Sequence, residues 1–188
     1  MSIRFAPSLL SADFARLADE IAEIENASAE MLHLDIMDGR FVPNLTFGPP
    51  VVRDIASSSK IALDAHLMVA DPDALIPDLT AAPVSRIAVH VEVCHHLQRT
   101  LENIRSAGIE AGIAINPASA LSLIEDALPW ADFILVMSVN PGFGGQSFIP
   151  ETLGKIRRLR QLAGDQVLDI AVDGGVCLEN VATLAQAG

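Results

Sequence analysis

Short apolar runs alternate along the chain with amphipathic stretches, and this alternation predicts an α/β protein. Strand starts such as Ile87-Ala88-Val89 are apolar on both faces, which is typical of parallel strands covered on both sides. The apolar runs predict strands near residues 3–9, 31–37, 61–68, 86–92, 110–116, 133–139 and 167–173. Apolar residues at helical spacing predict helices near residues 14–27, 49–57, 72–82, 96–107, 119–128, 150–163 and 178–187.

Seven strand-then-helix units with right-handed crossovers predict a parallel sheet, either doubly wound or closed as a (β/α)8 TIM barrel. No linker or shift in composition interrupts the pattern, so we predict one domain over residues 1–188. An eight-fold barrel takes ~250 residues, whereas this chain reaches Ala187-Gly188, a helix-ending signal, where an eighth strand would begin. The alternatives are an open seven-stranded sheet and a barrel whose strand 8 and helix 8 are absent from this chain.

The composition limits the classes of function. Hydrophobic residues make up 51% of the chain and charged residues 19%, which excludes an intrinsically disordered protein. The 24 acidic residues against 12 basic ones give a net charge of −12, which argues against nucleic acid and anionic membranes as partners. No signal-peptide pattern follows Met1, and Cys94 and Cys177 lie outside any paired spacing. We therefore expect a cytoplasmic protein with reduced cysteines.

Polar side chains gather where the predicted strands end, the edge at which parallel α/β folds bind ligands. His33 and Asp35 alternate onto one face of their strand, and Asp64 and His66 do the same on the next. Buried charges of this kind need compensation, which a divalent cation supplies. We predict a metal site with the ligands His33, Asp35, His66 and Asp173, whose mixed nitrogen and oxygen atoms suit Zn, Fe, Mn or Co.

The alternative to a metal site is a set of ordinary hydrogen-bonded pairs. A His-x-Asp pair on one strand is more often such a pair than half of a metal site. Its recurrence at Asp64-Ala-His66, with Asp173-Gly-Gly on a third strand, favours the metal. We interpret His90 and Glu92, on the following strand, as supporting groups behind the ligands or as residues at the rim of the core.

Two glycine-rich loops follow late strands and predict an anion site. Residues 139–146 hold three glycines and one proline, and Gly174-Gly175 follows the last predicted strand. Such loops aim consecutive backbone N–H groups at an anion, and the late-strand loops are the usual phosphate site of barrels. Ordinary turns also use glycine, but at a net charge of −12 an anionic substrate needs local donors of this kind.

Five sequence blocks, in order between residues 6 and 175, resemble the ribulose-phosphate 3-epimerase family, and the resemblance runs from residue 3 to the last residue. They are Ala6-Pro-Ser-Leu-Leu-Ser-Ala-Asp13, His33-Leu-Asp-Ile-Met-Asp-Gly-Arg-Phe-Val-Pro-Asn44, Asp64-Ala-His-Leu-Met-Val69, Val136-Met-Ser-Val-Asn-Pro-Gly-Phe-Gly-Gly-Gln146 and Val172-Asp-Gly-Gly175.

The resemblance implies a (β/α)8 barrel that interconverts D-ribulose 5-phosphate and D-xylulose 5-phosphate in the pentose phosphate pathway, with one divalent metal cation per chain. It implies Asp35 and Asp173 as the paired catalytic acid and base, and the predicted metal ligands as those of the family. The family continues into an eighth strand with a Gly-Ser phosphate-binding turn that is absent here, so we expect residues 1–188 alone to associate and to turn over little substrate. The implied substrate contacts are Ser8, His66, Gly142, Phe143, Gly144, Gly145, Asp173, Gly174 and Gly175.

The chemistry of epimerisation fits these residues. Inverting a carbon beside a ketone removes a proton from one face and returns one to the other, so two acid/base groups must flank the substrate. We assign Asp35 as the base and Asp173 as the acid for one epimer, with the roles exchanged in reverse. We expect a phosphorylated ketose as substrate and a homo-oligomer as the assembly. The alternatives are a 3-epimerase of a related ketohexose 6-phosphate and an inactive truncated barrel.

Overall fold

Apolar runs rich in leucine, isoleucine and valine form the strands of one parallel sheet. The computed structural model describes residues 3–164 and 166–188. Neighbouring strands are parallel throughout and follow each other in the sheet as they do in the chain, which confirms six of the seven predicted strands. These are β1 (Met31–Met37), β2 (Ala62–Met68), β3 (Arg86–His90), β4 (Glu110–Ile115), β5 (Phe133–Met137) and β6 (Asp169–Asp173).

Helices connect the strands, at the places that the apolar spacing predicts. The predicted helix over residues 119–128 is instead two 3-10 helices, Leu121–Leu123 and Glu125–Trp130, because Pro129 has no N–H and its ring opposes a continuous α-helix. None of the described helices is long and apolar enough to span a bilayer. The α-helices are α1 (Leu17–Asn26), α2 (Pro49–Ser58), α3 (Ile76–Thr80), α4 (Leu97–Ser106), α5 (Thr152–Ala163) and α6 (Val181–Ala187).

The prediction of a strand over residues 3–9 is wrong. Only Ser8 forms a bridge, to His33 of β1, and the His33 amide donates to the Pro7 carbonyl at 2.9 Å. Because Pro7 has no N–H to donate, the segment does not extend this contact into a ladder. The chain then turns into a 3-10 helix, Leu9–Ser11, whose first turn is capped by the Ser8 hydroxyl.

The segment before β1 nevertheless links the two edges of the sheet. Ser8 contacts β1, while the guanidinium of Arg4 pairs with the carboxylate of Asp169 at the start of β6. The five residues from Arg4 to Ser8 span at most ~18 Å when extended, so the first and last strands must curl toward each other. The sheet therefore forms the wall of a parallel barrel, in agreement with the predicted (β/α) barrel class.

Alternation along the strands separates an outer core from a barrel interior. Outward-facing side chains such as Leu32, Leu34 and Ile36 of β1 belong to the large apolar cluster between the sheet and its helices. Inward-facing residues of the later strands form a smaller apolar cluster that includes Phe133. The inward-facing residues of β1 and β2 include four polar ones, and the register sets His33 beside Asp64 and Asp35 beside His66.

Gly112 of β4 tests the packing of this interior. A Cβ atom at this position would lie 2.2 Å from Cζ of Phe133, a side chain that is fully buried. We expect Gly112→Ala to destabilise the protein by about 1–3 kcal/mol, because overpacking forces the ring or the strand to move. Urea denaturation measures the change in the free energy of unfolding.

Gly154→Ala in α5 is the matched control. Its added Cβ would meet only the flexible end of Arg158, at 3.5 Å, and alanine favours a helix over glycine. We expect this variant to be as stable as the wild type or slightly more stable. Equal destabilisation by both substitutions would contradict the close packing of Phe133 against β4.

Candidate functional site

Four predicted metal ligands meet at the ends of three strands. His33 and Asp35 come from β1, His66 from β2 and Asp173 from β6, and one ligand atom of each lies within 4.8 Å of the others. Oδ1 of Asp35 lies 3.4 Å from Nε2 of His33 and 3.2 Å from Nδ1 of His66. Oδ2 of Asp173 lies 3.9 and 3.7 Å from the same two nitrogens. The predicted ligands therefore form one compact group.

This group has the donor chemistry of a metal site. Nδ1 of His33 donates to Asp64 at 2.7 Å, which leaves the lone pair on Nε2. Nε2 is buried and has no hydrogen-bond partner among the described residues. A buried imidazole nitrogen without a partner, aimed at two carboxylates and a second imidazole, is what a bound cation would satisfy. The His/Asp group can therefore hold a divalent metal.

Burial and charge set the two acidic ligands apart. Burial alone would raise the pKa of Asp35, but the neighbouring His33 outweighs it and lowers that pKa well below its usual value. Burial raises the pKa of Asp173, which His33 opposes and the charge of Asp35 reinforces. The Asp173 side chain keeps 26% of its surface exposed, whereas Asp35 keeps 4%. Their surroundings therefore shift the pKa values of the two carboxyl groups in opposite directions.

Asp64 supports the first imidazole. Its carboxylate accepts from Nδ1 of His33 and forms an ion pair with the guanidinium of Arg86, with Nη2 2.9 Å from Oδ2. Burial would raise the pKa of Asp64, but His33 and Arg86 together lower it. Burial would lower the pKa of His33, but the carboxylates of Asp35 and Asp64 together raise it. Arg86 also stacks over the Phe133 ring at 4.5 Å, which fixes its position.

His90 and Glu92 lie directly behind the second imidazole. Nε2 of His90 is 2.9 Å from Nε2 of His66, and Nδ1 of His90 is 3.0 Å from Oε2 of Glu92. Burial lowers the pKa of His90 to about 4. Burial opposes ionisation of Glu92, but hydrogen bonds from His90, Ser119 and Asn116 lower its pKa to about 2. Of the two interpretations of this pair, the structure favours supporting groups behind a ligand.

The predicted substrate contacts share one cleft, with one exception. His66 is completely buried and forms no part of the cleft wall. The cleft has a volume of about 950 Å³, within the size range of small-molecule sites, and also reaches His33 and Asp35. Its wall contains Ser8, Gly142, Phe143, Gly144, Gly145, Asp173, Gly174 and Gly175.

Local contacts hold the two glycine-rich loops in place. Nδ2 of Asn44 donates to the Gly142 carbonyl at 2.8 Å and ties the first loop to the chain after β1. Gly174 and Gly175 have positive φ, and an added Cβ would lie 2.3 Å from Val139 and 2.5 Å from Phe148, respectively. Only glycine fits at these two positions, so the second loop has a fixed backbone close to Asp173.

Sequence reasoning missed three residues that shape the site. The sequence identifies Asp64 only as a polar residue near the end of a strand, and it assigns no function to Arg86 or Asn44. Arg86 carries a usable signal, because a basic residue within a buried strand needs an acidic partner. The contact of Asn44 joins positions 98 residues apart and has no signature in the sequence.

Asp64 offers a test of the electrostatics. We expect Asp64→Asn to lower the free energy of unfolding by about 3–5 kcal/mol at pH 7, because it leaves Arg86 buried without its counter-charge. The folded-state pKa of Asp64 is below its unfolded value near 4. Its stabilisation is therefore fully present above about pH 4 and declines as the pH falls toward the folded pKa. Urea unfolding between pH 3 and pH 7 should show the difference between wild type and variant shrinking at the acidic end.

The exposed Asp78 of α3 supplies the control for this measurement. Asp78→Asn should change the stability by less than about 0.5 kcal/mol at every pH. A difference between Asp64→Asn and the wild type that is as small as that of Asp78→Asn would contradict the buried ion pair.

Comparisons with known proteins identify the family of this chain. Residues 4–188 match the model of the ribulose-phosphate 3 epimerase family. A ribulose-phosphate 3-epimerase of Synechocystis sp. is 50% identical over 191 residues, which cover 100% of this chain and 83% of the relative. The enzyme of the same name from Bacillus subtilis is 43% identical, covering 99% and 87%, and that from Escherichia coli K12 is 47% identical, covering 97% and 83%.

Solved structures confirm the fold class. A mutant tryptophan synthase alpha-subunit from Pyrococcus furiosus superposes with a TM-score of 0.70 at 16% identity, covering 96% of this chain and 81% of that one. At that identity the likeness shows the (β/α) barrel fold alone. The family model and the relatives go further: the chain belongs to the ribulose-phosphate 3-epimerase family.

Proposed function

We propose that the protein is a metal-dependent epimerase that interconverts D-ribulose 5-phosphate and D-xylulose 5-phosphate. The observation that carries the proposal is the pair of carboxylates, Asp35 and Asp173, which reach one buried centre from the two edge strands β1 and β6. Both open onto the cleft, so a substrate there would lie between them. The names of the relatives support the same reaction.

The proposed reaction moves protons only. The Asp35 carboxylate takes the proton from C3, and the electron pair of the broken C–H bond enters the C2–C3 bond to give an enediolate. Asp173 then delivers its proton to C3 from the opposite side, and the ketone re-forms with no net change in oxidation state. The lowered pKa of Asp35 and the raised pKa of Asp173 suit these starting roles, which exchange in the reverse direction.

A divalent cation of Zn, Fe, Mn or Co would be held by His33, Asp35, His66 and Asp173. When bound, it supplies Lewis-acid stabilisation of the negative charge on the enediolate oxygens. The Ser8 hydroxyl donates to Oδ2 of Asp35, the oxygen that does not face His66, and so orients this carboxylate. His66 acts within this proposal as a ligand, because its ring is buried away from the cleft.

The glycine-rich loops supply the proposed phosphate site. Residues 142–145 and Gly174-Gly175 line the cleft, and backbone N–H groups in glycine-rich loops of this kind bind anions without a positive side chain. The chain has a net charge of −12, so its overall field repels a phosphorylated ketose and a local donor site is needed.

We also propose that residues 1–188 act as a single domain, in the cytoplasm, within a homo-oligomer. One cluster of buried apolar residues extends from Leu9 to Ala187, which supports a single domain. Ile3, Phe5 and Val167 are 54%, 59% and 98% exposed along the same cleft, more apolar surface than a lone domain usually shows there. Pathway membership in pentose phosphate metabolism follows from the proposed substrates.

Substitution of each acid/base residue tests the two-base reaction. We expect Asp35→Asn and Asp173→Asn, each made in a chain extended by a family-like eighth βα unit, to reduce turnover by at least ~10²–10⁴-fold, because each removes one proton-transfer group. Epimerisation in D2O, followed by NMR at C3, measures both turnover and solvent exchange. Wild type should act on the pentulose phosphates faster than on ketohexose 6-phosphates. Asp78→Asn is the control. If Asp35→Asn or Asp173→Asn exchanged and epimerised as fast as Asp78→Asn, that result would contradict the two-base assignment.

Metal analysis tests the ligand set separately from turnover. We expect about one divalent transition metal per chain in the purified wild type, as the resemblance to the family implies. We expect His66→Ala to lose this metal, because the substitution removes one of two nitrogen ligands. His95→Ala removes an exposed imidazole and should keep the metal. Elemental analysis that finds equal metal in both variants would contradict His66 as a ligand.

A further inference from the structure

We infer that Glu92 and His90 form a positioning chain, which determines that the ring nitrogen of His66 facing the proposed metal carries the lone pair and not the hydrogen. The inference rests on the proposed metal site and concerns residues that are not themselves proposed ligands. Only one nitrogen of a neutral imidazole carries a lone pair, so a histidine in the wrong tautomer presents an N–H where a ligand is needed. His66 has two ring nitrogens with defined neighbours, and the chain fixes the choice between them.

The two imidazoles meet nitrogen to nitrogen. Nε2 of His66 lies 2.9 Å from Nε2 of His90, and the rings are stacked at a centroid distance of 5.0 Å. Both side chains are completely buried. A contact of that length between two nitrogens needs one N–H and one lone pair, so the tautomer of one ring determines that of the other.

Glu92 sets the direction of the contact. An ionised carboxylate only accepts hydrogen bonds, so Nδ1 of His90, at 3.0 Å from Oε2 of Glu92, carries the hydrogen. Nε2 of His90 then has the lone pair, and Nε2 of His66 must donate to it. Oδ1 of Asp35, 3.2 Å from Nδ1 of His66, competes for a hydrogen on that nitrogen. With a cation bound to this carboxylate, the competition would end and the chain would leave the lone pair of His66 on Nδ1, the nitrogen that faces Asp35 and Asp173. The chain therefore presents the ligand atom that the site needs.

The carboxylate at the end of the chain is itself anchored. Oε1 of Glu92 accepts from the backbone N–H of Asn116 at 2.9 Å and from the Ser119 hydroxyl. The loop that provides these donors is held by Nζ of Lys155, which donates to the carbonyls of Asn116, Pro117 and Ser119 at 2.6, 2.8 and 2.7 Å. Glu92 thus has little freedom to turn its acceptor away from His90.

The register explains why this imidazole needs an intermediary. His33 lies beside Asp64 in the neighbouring strand, and a carboxylate reaches it directly. His66 lies beside Ala88 of β3, whose methyl group offers no hydrogen bond. His90, two residues further along the same face of β3, fills the space next to His66 and passes the effect of Glu92 inward.

Glu92→Gln tests the chain, because it should reverse the direction of two hydrogen bonds, the one between residue 92 and His90 and the one between His90 and His66. The Asn116 amide needs an acceptor, so the glutamine oxygen takes the place of Oε1 and the amide nitrogen faces His90. His90 must then accept on Nδ1 and donate from Nε2, which leaves the hydrogen of His66 on Nδ1. We expect the affinity for Zn²⁺, titrated against a chelator of known affinity, to fall by about 10–100-fold.

Asp132→Asn is the matched control. Oδ2 of Asp132 accepts from the Ala111 amide at 2.9 Å, at the other end of β4, and has no contact with the histidines. We expect its Zn²⁺ affinity to stay within about twofold of the wild type, as for a substitution away from the site. Equal affinities for Glu92→Gln and Asp132→Asn would overturn the positioning chain.

The tautomers can be read directly. In the Zn²⁺-loaded wild type with ¹⁵N-labelled histidine, NMR should show hydrogen on Nε2 of His66 and on Nδ1 of His90. A wild type with hydrogen on Nε2 of His90 would overturn the inference without any variant, so it stays testable if Glu92→Gln fails to fold. A wild type that binds no Zn²⁺ would overturn the metal site and this inference with it, whereas Zn²⁺ binding with unaltered Glu92→Gln affinity overturns the chain alone.

Discussion

The burial of three carboxylates at one end of a parallel barrel is the constraint on which the site depends. Asp35, Asp64 and the less buried Asp173 meet there with one guanidinium, that of Arg86, and two imidazoles. With both imidazoles neutral, two negative charges remain, which is the charge that one divalent cation cancels. Unpaired buried charge is costly, so the same residues that could carry proton transfer also require the cation or extra protons. Burial, reinforced by the charge of Asp35, raises the pKa of Asp173, and the charges of Asp35 and Asp64 raise the pKa of His33 against burial.

The ligand group could be predicted from the sequence because it depends on two simple regularities. Side chains alternate across a strand, and parallel strands end at one edge, so His33, Asp35 and His66 had to come together. The strand over residues 3–9 could not be excluded by the same pattern, because its alternation is that of a strand and only Pro7 interrupts the pairing. The apolar pattern describes which residues face the core, whereas a ladder needs N–H groups.

The direction of the hydrogen bonds behind His66 could not be predicted, because it depends on register and loop contacts together. His90 contacts His66 only because Ala88 stands opposite, and Glu92 has a fixed orientation only because Lys155 holds the loop after β4. The sequence separates Glu92 from Lys155 by most of two βα units. Residue type limited His90 and Glu92 to two interpretations, and three-dimensional packing was needed to choose between them.

The proposed two-base chemistry would place a demand on the fold that the segment before β1 can meet. The proposed acid and base lie on β1 and β6, the first and last strands of the sheet, and no strand-to-strand ladder joins these two among the described residues. Ser8 contacts Asp35 and bridges to β1, while Arg4 pairs with Asp169 on the strand that carries Asp173. Proton transfer to opposite faces of one carbon tolerates little change in the separation of the two carboxylates. The segment forms no strand ladder of its own, but its contacts with β1 and β6 link the two edges of the sheet that carry the proposed acid and base.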